Sequence, residues 1–209
     1  MKLDFSRVEA KRQVLGYHGC LKERFEEVFV QHRHLPMSLE EHNWLGDGVY
    51  VWEHSPERAY RWACDMAKRK KRDVADARVV GVLFEMGYCL DLLDVAHTNL
   101  LAQAYEQVKV YLASRGIDLP QNTIPKGLTE TLIRKLDCTV INFAINQHEE
   151  RQSFTFQTVR GAFWEGEPAF EGSCIQTKSH VQIAIRDYHA ILGYFIPGET
   201  CSVPSPSMR

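Results

Sequence analysis

The stretch VLGYHG, from Val14 to Gly19, is a short apolar run that ends in glycine. Apolar runs that stop at turn-forming residues are typical of buried strands. We therefore predict a strand here that delivers His18 and Gly19 to a turn. The residues that follow, Lys22 to Gln31, are expected to form a helix.

Two more stretches predict strands that carry polar side chains. GDGVY, from Gly46 to Tyr50, is a turn-rich loop that runs into a predicted strand ending near Trp52. Ser179 to Ile185 alternates strictly, which predicts a strand with one core face and one face available for chemistry. The core face would hold Val181, Ile183 and Ile185, and the other face would hold His180, Gln182 and Ala184.

The rest of the chain adds helices between strands. Ser55 and Pro56 are typical of the N-cap and the first position of a helix, whose buried face would comprise Ala59, Trp62, Ala63, Met66 and Ala67. The other predicted elements are a central strand at Val79 to Phe84, a helix at Val95 to Arg115, a partly helical segment at Leu128 to Gln147 broken near Asp137, and strands at Gln152 to Phe163 and Ile191 to Ile196. This order favours an α+β fold.

Length and composition narrow the class of protein. The 209 residues suit one domain, predicted over 1–197 with a helical insertion at about 95–147 and a flexible tail at 198–209. A hydrophobic content of 44% excludes disordered, collagen-like and coiled-coil proteins. The formal net charge of -2 gives no general attraction for polyanions. Neither a secretory signal nor a long apolar run is seen, so we expect a cytoplasmic protein without membrane contact.

Several local features point to other kinds of site. His32, His34 and His42 are closely spaced, but no cysteine or carboxylate completes a tetrahedral set, so no metal is expected. The six cysteines contain no CxxC pair, which argues against a zinc knuckle or a redox dithiol. The basic run Lys68 to Arg72 either complements a helix dipole or contacts the phosphates of a nucleic acid or a neutralising partner. No nucleotide-binding glycine loop occurs, which disfavours an ATPase or a Rossmann dehydrogenase.

The order of the three strand motifs carries more information than each motif alone. A YHG strand end, a GxGVY segment before a helix, and a late HxQIxI strand together resemble the layout of ADP-ribosyltransferases. The resemblance is to the diphtheria-toxin and poly(ADP-ribose) polymerase branch, which has a His-Tyr-Glu motif on a split β-sheet with helices packed around it. It covers most of the chain at low identity, and the predicted helical insertion has no specific counterpart.

The resemblance implies a site for NAD. His18 would hydrogen-bond a ribose hydroxyl of NAD, and the backbone of Gly19 would hold the nicotinamide amide. Tyr50 would lie at the nicotinamide pocket, and Tyr17 is a further cofactor-binding candidate on the same strand end as His18.

The resemblance also implies contacts from outside the three motifs. A second aromatic residue at the start of the following helix would stack on nicotinamide, and both Tyr60 and Trp62 are candidates. We favour Tyr60, because Trp62 falls on the apolar stripe of the predicted helix. Arg160 would contact the pyrophosphate.

The third motif departs from the family pattern, because Gln182 stands where the family has glutamate. A carboxamide can accept a hydrogen bond from the ribose 2'-hydroxyl, but it cannot remove a proton from an acceptor. The loop that precedes this strand corresponds to the family's acceptor-recognition loop. Its exposed aromatics, including Trp164, would hold a base or a peptide side chain, and Glu165 or Glu171 would supply the missing carboxylate; a surface hairpin with solvated acids is the alternative.

These residues together lead to an expected function. The resemblance implies an NAD-dependent mono-ADP-ribosyltransferase that acts on a macromolecule, with RNA slightly preferred over DNA or protein. Small members of this kind are often toxins of toxin-antitoxin or anti-phage systems, so a neutralising antitoxin is an expected partner. The alternatives are a degenerate module that binds NAD or ADP-ribose, an NAD glycohydrolase, and an interaction module without catalysis. An RNA 2'-phosphotransferase is disfavoured, because its arginine-rich motifs are missing.

Overall fold

The computed structural model describes residues 9–124, 133–151 and 155–198. Within these ranges the chain has an α+β fold with a six-stranded mixed sheet, a two-stranded ribbon and four α-helices. The elements are β1 (Glu9–Leu21), α1 (Lys22–Phe29), β2 (Val49–Glu53), α2 (Pro56–Arg69), β3 (Ala77–Asp91), α3 (Val95–Ala113), β4 (Asn122–Thr123), β5 (Ile133–Arg134), α4 (Lys135–Arg151), β6 (Thr158–Phe163), β7 (His180–Ile185) and β8 (Ile191–Phe195).

The large sheet brings the three motif strands next to one another. Its order is β1-β2-β7-β6-β3-β8, and β3 also pairs with β1, so the pairings of the first five strands form a closed ring. The long β3 makes this possible, because most of it pairs with β1 while its end at Cys89 to Asp91 pairs with β6. Only β3 and β6 run parallel among the described pairs.

The strand register aligns residues from all three motifs. Tyr17 of β1 is opposite Trp52 of β2, and Trp52 is in turn opposite Gln182 of β7. Tyr50 is opposite Ala184, two residues further along the same pair of strands. Residues more than a hundred positions apart in sequence therefore lie in neighbouring strands.

Two apolar clusters cover the two sides of β7. Ile183 and Ile185 belong to a fully buried cluster with residues of β1, β2 and β3, whereas Ala184 belongs to a second cluster that includes Ile141 and Ile145 of α4. The strand and the core positions of Ile183 and Ile185 are confirmed, whereas Ala184, predicted on the face available for chemistry, is fully buried in the second cluster. The helices α3 and α4 pack on each other through Ala104, Val140 and Ala144.

Helix α2 lies directly on the sheet. Its fully buried residues are Ala59, Ala63 and Ala67, and a methyl group at Gly19 of β1 would overlap the carbonyl oxygen of Ala59. Small residues on both sides therefore let the helix backbone approach the strand. The prediction that Trp62 lies on this buried face is wrong: its side chain is 37% exposed, because the alanine stripe leaves no room for an indole.

Other predictions need correction at the ends and middles of elements. Ser55 precedes Pro56 at the start of α2 as predicted, but its side chain makes no capping hydrogen bond. The predicted break near Asp137 is wrong, because α4 begins at Lys135 and continues through this residue. Parts of the predicted segments at 128–132 and 152–154, and the tail at 199–209, lie outside the described residues. No helix in the described ranges has the length and apolar character needed to cross a membrane.

Replacing Gly19 by alanine should weaken the fold. The added methyl would meet backbone rather than a flexible side chain, so α2 must move, and overpacking of this kind costs about 2 kcal/mol. Chemical denaturation would measure this as a lower free energy of unfolding. Gly193→Ala in β8 is the matched control, because its added methyl meets no atom within 4 Å, and its effect should stay under about 0.5 kcal/mol. Equal effects of the two substitutions would contradict the packing argument.

Candidate functional site

A cavity of about 430 Å³ opens where β1, β2 and β7 meet α2. Its lining includes His18 of β1, Tyr50 of β2 and Gln182 of β7, one residue from each of the three motifs. Pockets that bind small molecules commonly have volumes of roughly 300–1,000 Å³ and carry a few polar groups on an apolar wall. The cavity is therefore the candidate functional site.

Aromatic side chains make up much of the cavity wall. The ring centroids of Trp52 and Trp62 are 5.9 Å apart at a tilted angle, and Trp44 is in contact with Phe163. These four rings come from the loop before β2, from β2, from α2 and from β6. Flat aromatic surfaces of this kind suit a ligand that contains a planar ring.

His18 is held in one tautomer at the cavity wall. Its Nδ1 lies 2.8 Å from the backbone carbonyl oxygen of Tyr50, and because a carbonyl only accepts, Nδ1 carries the proton. Its Nε2 is then an acceptor. Burial lowers the pKa of His18, more than the hydrogen bond to Tyr50 raises it, so the imidazole is neutral at neutral pH.

Tyr50 uses its hydroxyl to hold the loop that precedes β2. The hydroxyl donates to the carbonyl oxygen of Gly46 at 2.8 Å and accepts from the backbone N–H of Leu45 at 2.9 Å. Burial raises the pKa of Tyr50, so the phenol stays protonated. The residue lines the cavity, but its polar atom is committed to positioning the neighbouring loop.

Gln182 has a fixed amide orientation. Its Oε1 accepts a hydrogen bond of 2.7 Å from Trp44 Nε1, and an indole nitrogen can only donate, so the oxygen must face Trp44. The Nε2 group carries two donors that this contact leaves unused. Gln182 can therefore donate hydrogen bonds through Nε2, and the remaining lone pair of Oε1 can accept one more.

The loop that carries Trp44 is supported from α4 and β7. Asn142 of α4 accepts from the backbone N–H of Asp47 at 3.1 Å and from Arg186 at 3.0 Å. Arg186 also donates to the carbonyl oxygen of Asp47 at 2.9 Å. A side chain on Gly46 would collide with Asn142, and the φ of 75° at Gly46 favours glycine.

Helix α2 supplies charged groups to the cavity. Arg58 forms an ion pair of 2.9 Å with Glu165, and each of these side chains is 14% exposed. The guanidinium of Arg69 lies 4.6 Å from the centroid of the Trp62 ring. Within the basic run predicted from sequence, Arg69 thus lines the cavity, whereas Arg72 pairs with the carboxylates of Glu23 and Asp76 on the surface.

Two nitrogen donors in this part of the wall are buried without a hydrogen-bond partner in the described part of the chain. They are Trp52 Nε1 and Arg58 Nε, and the guanidinium carbon of Arg58 lies 5.5 Å from the centroid of the Trp52 ring. An unsatisfied buried donor costs about 1–3 kcal/mol.

His180 was quoted in the third motif but was not among the sequence-predicted site residues. It lines the cavity two residues before Gln182, on the same face of β7. Its Nδ1 donates to the carbonyl oxygen of Lys178 at 2.7 Å, and its ring stacks on Phe163 at 5.2 Å between centroids. The strict alternation of this strand was the signal that could have identified it.

The structure separates the remaining candidates from one another. Trp62 and Glu165 line the cavity. Tyr60, the aromatic residue favoured from sequence, is 43% exposed on another side of α2 and does not line it. Arg160 pairs with Glu53 at 2.8 Å and with Asp91 at 3.1 Å instead of lining it. Four more candidates lie outside the described lining: Tyr17, Gly19, Trp164 and Glu171. Tyr17 packs on Phe195, and Gly19 lies under α2. Trp164 and Glu171 are exposed in the loop after β6.

Neither the search for metal ligands nor the comparison with known proteins assigns a function to the cavity. Across residues 9–124, 133–151 and 155–198, no three His, Cys, Asp or Glu side chains come together as a metal site would require. Comparison of the chain with models of protein families, with curated proteins and with solved structures finds no match. The functional assignment must therefore be argued from the cavity itself.

The neutral, buried state of His18 should make stability depend on pH. Its pKa in the folded protein lies below the ordinary value of 6.5, so the unfolded chain binds more protons as the pH falls through 6.5. The free energy of unfolding should therefore decrease from about pH 7 toward about pH 5. In His18→Asn, which keeps a donor for the Tyr50 carbonyl, this decrease should be smaller. Parallel urea titrations of both proteins across this pH range measure it, and identical slopes would contradict the assignment.

Proposed function

We propose that the chain is an NAD-dependent mono-ADP-ribosyltransferase with a split-sheet fold of the ADP-ribosyltransferase kind. One observation supports this most: His18, Tyr50 and Gln182, which carry the sequence resemblance, line a single aromatic cavity although they come from three separate strands. A set of three residues that matched by chance would have no reason to share one cavity.

The cavity has chemistry that suits NAD. Cleavage of the bond between nicotinamide and ribose passes through a cationic, oxocarbenium-like state, so the enzyme must hold the departing ring and fix the ribose. Trp52 and Trp62 offer flat surfaces for the nicotinamide. The neutral His18, with Nε2 as an acceptor, suits a ribose hydroxyl. Arg69, whose guanidinium lies over the ring of Trp62, supplies positive charge for the diphosphate.

Gln182 favours single transfer over polymer formation. The oxygen of its amide is held by Trp44, and the amide group carries no charge and cannot remove a proton. The same feature favours the second candidate, a degenerate module that binds NAD or ADP-ribose, or a protein that hydrolyses NAD. For the transferase we propose a macromolecular acceptor, with RNA ahead of DNA or protein, and a toxin role in the cytoplasm with an antitoxin as partner.

Incubation with labelled NAD tests the proposal. The purified chain is mixed with separate pools of RNA, DNA and protein, and both transferred label and released nicotinamide are measured. We expect one pool to be labelled, and we expect His18→Ala and Gln182→Ala to label far less. Release without labelling would favour the hydrolase, NAD binding without release would favour the degenerate module, and absence of binding would overturn the assignment of the cavity to NAD.

A pair of neighbouring aromatic substitutions tests the position of the nicotinamide. Trp62→Ala removes a ring that lines the cavity, and the loss of one stacking aromatic should raise the Kd for NAD by about tenfold. Tyr60→Ala, on an exposed side of the same helix, is the matched control and should leave the Kd nearly unchanged. Isothermal titration calorimetry measures both. A larger effect at Tyr60 than at Trp62 would restore the preference drawn from the sequence.

A further inference from the structure

We propose that His180 is the general base that removes the proton from the acceptor nucleophile during ADP-ribose transfer, the task that Gln182 cannot perform. This inference rests on the proposed function. It assigns a catalytic residue on the acceptor side of the cavity, and it follows from the position, tautomer and surroundings of His180.

The tautomer of His180 determines which of its ring nitrogens is basic. The Nδ1 of His180 donates to the carbonyl oxygen of Lys178 at 2.7 Å, so the lone pair that can accept a proton lies on Nε2. Stacking on Phe163 and a centroid distance of 6.1 Å to the ring of Trp52 fix the plane of the imidazole. The ring is thus oriented before any substrate binds, as a general base requires.

Charged side chains from three elements surround the imidazole of His180. Glu165 from the loop after β6, Arg58 from α2 and Arg134 from β5 act on it electrostatically, and Lys178 lies two residues away in the chain. Burial lowers the pKa of His180, the two arginines lower it further, and the hydrogen bond to Lys178 and the Glu165 carboxylate oppose this. The imidazole is therefore unprotonated at neutral pH, and a carboxylate is near to stabilise the imidazolium once it forms.

The other candidates for the general base, Glu165 and His18, are less suitable than His180. Glu165 is the nearest carboxylate candidate, but Arg58 holds it in a mostly buried ion pair. His18 has the same tautomer as His180, but under the proposed function its Nε2 binds a ribose hydroxyl of NAD. His180 directly follows the loop that exposes Trp164 and Phe170, which is the loop predicted to recognise the acceptor.

The proposed step balances in atoms and charge. The bond between ribose C1' and the nicotinamide nitrogen breaks, and its electron pair neutralises the positive pyridinium ring. A lone pair of the acceptor N–H or O–H group forms the new bond to C1'. The proton of that group passes to His180 Nε2, and the resulting imidazolium later returns it to solvent.

The test compares His180→Asn with His189→Asn. The first substitution keeps a donor for the Lys178 carbonyl but removes the base, whereas His189 is a histidine outside the cavity with a side chain that is 94% exposed. With the acceptor pool identified by labelled NAD, His180→Asn should reduce kcat/KM for transfer by about 10²–10⁴-fold. The Kd for NAD should change by less than about threefold, which is under 1 kcal/mol. His189→Asn should change neither quantity.

Two further measurements separate catalysis from structure. Added imidazole should restore part of the transfer by His180→Ala, which a purely structural role would not allow. The transfer rate of the unsubstituted protein should be constant through neutral pH and fall only below pH 6.5, the ordinary pKa of histidine, because the base must be unprotonated and burial lowers the pKa of His180. If the unsubstituted protein neither binds nor cleaves NAD, the proposed function is wrong. If it transfers and His180→Asn transfers equally well, or imidazole rescues nothing, the inference alone is overturned.

Discussion

The close packing of α2 on β1 at Gly19 determines where the cavity lies and what lines it. Because Ala59, Ala63 and Ala67 meet the strand with methyl groups alone, the helix backbone approaches the sheet as closely as backbone atoms permit. At 3.6 residues per turn, the helix then presents an adjacent stripe to the cavity. That stripe consists of Arg58, Trp62, Asp65 and Arg69. One packing constraint thus anchors the helix and also positions the charged and aromatic wall.

The features that sequence predicts well are those set by local pattern. The run ending in Gly19 became part of β1, but the strand continues to Leu21, so His18 and Gly19 lie within it and not at the predicted turn. The run beginning at Val49 became β2, and the alternation through Gln182 became β7 with Ile183 and Ile185 in the core. Which residues share a cavity is a question of strand order, which local pattern does not encode. The proposed resemblance supplied that step, because it assigned His18, Tyr50 and Gln182 to one site, and all three line the cavity.

The predictions that failed depended on partners distant in sequence. Arg160 was assigned to a pyrophosphate, but Glu53 and Asp91 reach it from β2 and β3 and satisfy its charge. Trp62 was predicted to lie in the core because it recurs at helical spacing with the alanines of α2. Helical spacing alone does not distinguish residues that pack on a strand from residues that line a cavity. Such assignments need the distance between elements as well as their amphipathic faces.

Helix α4 acquires a role in this arrangement. Asn142 of α4 holds the loop at Asp47, the Tyr50 hydroxyl holds the same loop at Leu45 and Gly46, and this loop carries Trp44 to its hydrogen bond with Gln182. A carboxylate at position 182 could also accept from Trp44, but it would attract the arginines of the cavity wall. A neutral amide avoids that competition, so Arg58 stays paired with Glu165 and Arg69 is left as the arginine of α2 that can meet an anionic ligand.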